Sequence, residues 1–291
     1  MAGAGNIQDI KKRVRSITGI EHITNAMKLV SVAKLRRARG ALDATRENFH
    51  FVTESIQDIF QSADEIPTKY LLTDKDAKPV APCYVVITSN RGLAGSFNTN
   101  VLKKAEAEMR TAEGKPAIVA VGGKGRDYFR RRGYEILDEH VRPPESISFL
   151  ETHDITRPII DLYDEGKVDE ITLVYTSFRS PIEQRVVAAR LLPIEIEPDP
   201  EVPAAGKYVE YEPSVAEVFN YLVPKYAEIM IYQAIVESAT CEHAARHMAM
   251  DNATTNARQM ISDLNLYYNR ARQDAITRQI IEVVSGAEAL E

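Results

Sequence analysis

The sequence predicts an α/β protein: a long antiparallel coiled coil of N- and C-terminal helices with an inserted Rossmann-like α/β domain. Three observations carry this. Thirteen of the fourteen prolines lie between Pro67 and Pro213, and nine of the fourteen glycines between Gly92 and Gly206, so the helix breakers crowd the middle. Both ends repeat apolar residues in steps of three and four, whereas the middle alternates short β-rich runs with helical ones. The expected divisions are an N-terminal coiled-coil helix over 1–60, an α/β domain over 75–205 and a C-terminal coiled-coil helix over 210–288.

The first helix is read from Ile7, Ile10, Val14, Ile17, Ile20, Ile23, Met27 and Val30, an apolar stripe on one face. In the middle, CYVVITS (83–89), PAIVAV (116–121), DEITLVYTSF (169–178) and QRVVAARLLP (184–193) are expected strands. Thr99–Ala112, Arg126–Arg132 and Ile155–Asp164 read as helices, and EPDPEVPAAGK (197–207) as the linker. Beyond it, Ser214 to Ser285 holds no glycine and a single proline, Pro224, expected near the helix start or at a kink in its first turns. Its stripe is Ile235, Ala239, Met250, Ala253, Ala257, Met260, Leu264, Tyr267, Tyr268, Ala271, Ile276 and Ile280, whose many alanines favour close helix approach. At about 1.5 Å per residue the two helices would run roughly 75 and 100 Å, too long for a compact globule.

The composition is that of an ordinary soluble globular chain, 44% hydrophobic and 27% charged over 291 residues. No window matches a membrane span, and the start MAGAGNIQDIKK lacks the apolar core of a secretory signal. Cys83 and Cys241 have neither disulfide density nor zinc spacing, which fits a reducing cytosol. Net charge is -6, yet residues 1–40 carry nine Lys or Arg against Asp9 and Glu21, a local +7. That asymmetry suggests an acidic partner or nucleic acid, or else a solvated helix face.

ITSNRGLAGSFN (87–98) joins a strand to a helix, where backbone N–H groups can bind phosphate. It lacks the lysine of a P-loop and the spacing of a dinucleotide fingerprint, so the alternative is a turn in which Ser96 or Asn98 caps the helix. VGGKGRDYFRRRGY sets Gly122, Gly123 and Gly125 beside Lys124 and Arg126, again an anion-binding turn or a plain glycine turn. His243 and His247 share a helix face, but Ala244 stands where a zinc peptidase needs its glutamate. KKRVR and KLRRAR would make a nucleic-acid contact salt-sensitive, but stacking aromatics and a reading helix are missing. No Ser, His and Asp constellation has supporting context, so the residues alone supply no convincing active site.

IKKRVRSI, ITNAMKLVSVAKLRRA (23–38), ITSNRGLAGSFNTN (87–100) and EHAARHMAMDNATTNARQMISDLNLYYNRARQDAITRQIIEVVSGAEAL (242–290) closely resemble the gamma subunit of the F-type ATP synthase, from end to end. The resemblance implies a central rotor shaft, one copy inside a hexamer of alternating alpha and beta subunits, its foot on the epsilon subunit and the membrane ring of c subunits. Proton or sodium flow through that ring would be coupled by rotation to ATP synthesis or hydrolysis at beta-subunit sites. It implies no cofactor or metal, no nucleic acid and only indirect membrane contact. By the same resemblance the glycine motif becomes a domain signature. Met27, Lys28, Arg246, Asn265, Arg272, Gln273, Thr277, Gln279 and Glu282 fall on the stator side, and Lys207, Tyr208 and Tyr211 on the side of epsilon and the c ring.

Two departures from the family pattern stand out: Gln279 replaces the usual glutamate, and Glu21-His22 interrupts the basic face, where His22 would titrate near neutral pH against beta carboxylates. Nothing resembles the redox-switched insertion of photosynthetic members. The expected location is peripheral, on the cytoplasmic face of a bacterial plasma membrane, and the isolated chain is expected to be poorly soluble.

Overall fold

In the computed structural model, which describes residues 2–62, 68–72, 79–195, 212 and 214–288, the order is α1 (Ala2–Ser62), β1 (Pro82–Ile87), α2 (Phe97–Met109), β2 (Ala117–Val121), α3 (Gly123–Arg131), β3 (Glu135–His140), α4 (Phe149–Asp164), β4 (Glu170–Phe178), β5 (Gln184–Leu192) and α5 (Val215–Glu288). The four expected strands and all five expected helices form, and Pro224 lies inside α5. The strand β3 was not expected: EILDEH carries charges on both sides of its alternation, as an edge strand with a solvated face does. The helix α4 begins earlier than expected because Ser148 and Glu151 form a capping box, each satisfying the other's backbone N–H.

Residues divide by packing into two units, one of 1–32 with 246–291 and one of 33–245, a division that cuts through both long helices. In the larger unit the sheet order is β3-β2-β1-β4-β5, with β1, β2, β3 and β4 parallel and β5 antiparallel to β4. The central strand β1 is buried along its whole length. Its Cys83, Val85 and Ile87 join α4 residues Ile155 and Ile159 and α5 residues Phe219, Val223, Ala227, Ile231 and Ile235 in one core. Tyr84 and Val86 point the other way, into a core with Val101, Leu102 and Ala105 of α2 and Phe129 of α3. Thus α5 takes the place of a covering helix on one face of a doubly wound sheet.

In the smaller unit the two helices run antiparallel. On α1 one stripe of covered residues runs Ile7, Ile10, Val14, Ile17, Glu21, Thr24, Lys28 and Ser31, in steps of three and four, with Thr18, Asn25 and Met27 partly covered beside it. On α5 the same rhythm picks out Met250, Thr254, Ala257, Ile261, Leu264, Tyr268, Ala271 and Ala275. The expected stripes are therefore corrected. Ile20, Ile23 and Val30 are 51%, 63% and 56% exposed, and on α5 Met260, Tyr267, Ile276 and Ile280 lie outside the seam. An apolar count cannot follow a seam that turns polar at Glu21, which a strict 3.5-residue period does follow.

Candidate functional site

At the C-terminal ends of β1 and β2 the anion-binding geometry exists but the chain itself fills it. The first N–H groups of α3 point toward the turn after β1. Asn90 Oδ1 accepts from Gly123 N at 2.6 Å, Ser89 O from Lys124 N at 3.0 Å and Thr88 Oγ1 from Gly125 N at 2.8 Å. The glycines serve this approach: Gly122 has φ +104°, and a Cβ there would lie 2.1 Å from the Thr88 carbonyl oxygen. Ser96 occupies the N-cap of α2 without a side-chain cap bond. Asn98 turns back instead, its Oδ1 accepting from Ser89 N at 2.9 Å, so neither expected cap is made. Beyond these turns lies the switch point of the sheet, where doubly wound domains keep their ligand crevice. Here Ala94, Phe97 and Phe178 pack against Leu42 of α1 and Val236, Cys241 and Ala244 of α5. The crevice is a socket for the two long helices.

Polar anchors hold α5 within this larger unit. Buried Glu237 accepts from Phe178 N at 3.1 Å, and Ser238 Oγ accepts from Thr176 N at 3.2 Å, so β4 donates to α5 where its ladder ends. Glu228, 4% exposed, pairs with His153 of α4 and accepts from Lys225 Nζ at 2.9 Å. Burial pushes the Glu228 carboxyl up, but its hydrogen bonds with His153 and Lys225 outweigh it and hold it below its usual value. Glu145 receives Lys34 Nζ at 2.9 Å and lies 3.9 Å from Nε2 of His243. Burial raises its carboxyl too, and Lys34, its own backbone N–H and His243 together bring it below the usual range. Burial also pushes Cys83 up to about 12 and raises Cys241, so both thiols are unreactive. Among the described residues no cluster of His, Cys, Asp and Glu could hold a metal ion, and no helix is long and apolar enough to cross a membrane.

The expected site residues of the smaller unit fall into two groups. Met27 is partly buried, and Lys28 turns into the seam, where its Nζ meets Asp251 at 3.3 Å. Arg246 is partly buried as well. Asn265, Arg272, Gln273, Thr277, Gln279 and Glu282 are exposed on α5, among the exposed apolar residues Met260, Tyr267, Ile276 and Ile280. In the last turns Ile281, Val283 and Val284 are also exposed, at 57%, 72% and 57%. His22 is exposed, its Nδ1 3.5 Å from Glu21. Lys207, Tyr208 and Tyr211 lie outside the described residues. Sequence reasoning missed Glu228, Glu237 and Glu145, whose signal is only a carboxylate within a helix or turn, and Asp251 and Arg258, which the heptad period does predict beside the seam.

A family model described as ATP synthase matches residues 6–290. The ATP synthase gamma chain of Alkaliphilus metalliredigens is 45% identical over 289 residues, covering 98% of this chain and 99% of its own. That of Desulforamulus reducens is 43% identical over 286 residues, with the same coverage. Among solved structures, the Euglena gracilis mitochondrial ATP synthase rotor superposes with a TM-score of 0.69 at 18% identity, over 94% of this chain and 99% of that one, a likeness of fold. Full-length identity at this level, with the same sheet and flanking helices, places the chain in the gamma chain family of the ATP synthases.

Proposed function

We propose that the chain is the rotating shaft of the central stalk, non-catalytic itself, which turns inside an alpha/beta hexamer and couples proton or sodium flow through a c ring to the nucleotide sites of the beta subunits. The observation that carries this reading is the exposed apolar end of α5, where Ile280, Ile281, Val283 and Val284 face solvent. Four such side chains on one helix end want an apolar sleeve. The exposed residues Asn265, Arg272, Gln273, Thr277, Gln279 and Glu282, with Met27 and Arg246, supply its stator contacts, and each rotor angle favours a different set of beta conformations. Lys28 acts on the same contact through its pairing with Asp251. The epsilon subunit and the c ring are met through Lys207, Tyr208 and Tyr211. The complex sits peripherally on the cytoplasmic face of a bacterial plasma membrane.

The test is rotation itself. With Ile182→Cys, an 85% exposed position in the β4–β5 turn, the chain is labelled with a bead in an immobilised hexamer of alpha and beta. Stepwise rotation driven by ATP is expected. ATP hydrolysis at the usual rate with a stationary bead would overturn the reading.

A further inference from the structure

The motif ITSNRGLAGSFN (87–98) fills the turn after β1 from within, and it also carries a strained residue that this filling does not require. Leu93 has φ +62°, and among the described residues it is the one residue other than glycine in the left-handed region. There Cβ crowds the following carbonyl oxygen, a cost that glycine avoids and asparagine tolerates. The side chain recovers little of that cost from the described residues, because Leu93 is 64% exposed.

The chain on either side dictates the reversal. Arg91 O accepts from Ser89 Oγ at 2.6 Å, and Ser89 is itself held by Asn98, whose Oδ1 accepts from Ser89 N at 2.9 Å. Ala94, 2% exposed, lies in the cluster with Leu42, Phe97, Phe178 and Val236, and its carbonyl accepts from Phe97 N at 3.2 Å. With Arg91 tied to the turn and Ala94 in the core, the backbone doubles back between them and carries the Leu93 side chain outward. Gly95, at φ +57°, meets the same demand two residues on without a side chain. A glycine at 93 would serve the fold of this chain as well, so the leucine points to a contact outside it.

The surface around Leu93 has a definite chemistry. Arg91 and Lys124 are exposed, and neither forms an ion pair among the described residues. Lys124 belongs to the same turn, since its backbone N–H donates to Ser89 O at 3.0 Å. Asn90 Nδ2 donates to Val141 O at 2.6 Å, which brings in a second apolar residue, 44% exposed. Two apolar side chains and two cations gathered at one turn suit an acidic surface with an apolar dent.

We propose that Leu93 is a stator contact, held out by the motif so that it enters an apolar dent on an acidic surface of the alpha/beta hexamer. The inference rests on the rotary reading and extends it to the larger unit, at a residue outside the set of Met27, Lys28, Arg246 and the exposed face of α5. Backbone strain persists where the surrounding structure over-determines it, and it concentrates where ligands are held. Here the turn and the core impose the strain, and the partner supplies the burial that the chain withholds.

Competition for the hexamer tests this. Native full-length chain and a tagged variant are mixed in equal amounts with a limiting quantity of alpha and beta subunits, and the share of each in the assembled complex is measured. Leu93→Asn removes the apolar tip but suits left-handed backbone. It is expected to keep or raise the unfolding midpoint of the chain, yet to lose to the native chain about fivefold or more. Leu93→Met keeps an apolar tip and competes as the native chain does. Arg91→Gln with Lys124→Gln loses at low salt and much less at high salt, as contacts with carboxylates do. A purely structural role would lower midpoint and competition together. Equal shares for Leu93→Asn, a lowered midpoint in that variant, or charge variants whose loss ignores salt would overturn the inference and leave the rotary reading intact. A native chain that enters no complex with alpha and beta would overturn the rotary reading, and this inference with it.

Discussion

The helix α5 passes through two kinds of surroundings. From Ile231 to Ala244 nearly every side chain is buried, with the sheet core and the Leu42 cluster both drawing residues from it. From Met250 onward only a stripe one residue wide per turn is covered, and the large apolar side chains off that stripe are exposed. Up to Ser285 both stretches lack glycine and proline, so helix propensity does not distinguish them. The difference is the number of neighbours. The first stretch is a core helix of a doubly wound domain, and its exchanges should be read in stability. The second is a two-helix coiled coil with a free outer face, and its exchanges should be read in coupling.

Truncating the fully buried core gives the largest effect. Phe219→Ala is expected to cost about 3–5 kcal/mol, measured by denaturant unfolding, because the surrounding side chains cannot close the cavity. Gly122→Ala comes next. A Cβ placed 2.1 Å from a carbonyl oxygen at φ +104° forces the turn apart, and about 2–3 kcal/mol of destabilisation is expected. Glu237→Ala strips the acceptor from Phe178 N in a buried place, for about 1–3 kcal/mol, and Glu237→Gln should recover part of it.

Acidification probes the same stretch. Glu228 and Glu145 have folded values below 4.5, so the unfolded chain binds their protons more readily. Their stabilisation is therefore complete above 4.5 and disappears as pH falls through the lowered folded values. A pH series of unfolding midpoints should show that loss in the native chain and a smaller one in Glu228→Gln. The smallest effect on stability belongs to the outer face. Ile280→Ala, at a 58% exposed position, should change unfolding by less than about 0.5 kcal/mol, yet lower ATP-driven ion pumping per ATP hydrolysed in the complex. A large stability loss there, or none at Phe219, would erase the contrast between the two stretches.

Several features were legible in the residues alone. The strands over 83–89 and 116–121 announce themselves as apolar runs because β1 and β2 are buried by helices on both faces. The edge strand β3 does not, because half-solvated EILDEH reads as a surface loop. The capping box at Ser148 and Glu151 was present to be read, and sets the true start of α4. The α5 positions from Asn265 to Glu282 were named through the family motif and are exposed, whereas the inward turn of Lys28 toward Asp251 needed the partner helix.

By itself the sequence determined the two breaker-poor helices, four of the five strands between them and the family, because these depend on local propensity, periodicity and residue identity along one chain. Tertiary structure alone decided what the glycine turns hold, since the N–H groups of Gly123, Lys124 and Gly125 are taken by Thr88, Ser89 and Asn90, some thirty-five residues away. It also decided which side of each long helix faces its partner. A seam is a relation between two helices, and where it turns polar at Glu21, Thr24 and Lys28 its direction is set by Arg258, Thr254 and Asp251, more than two hundred residues on.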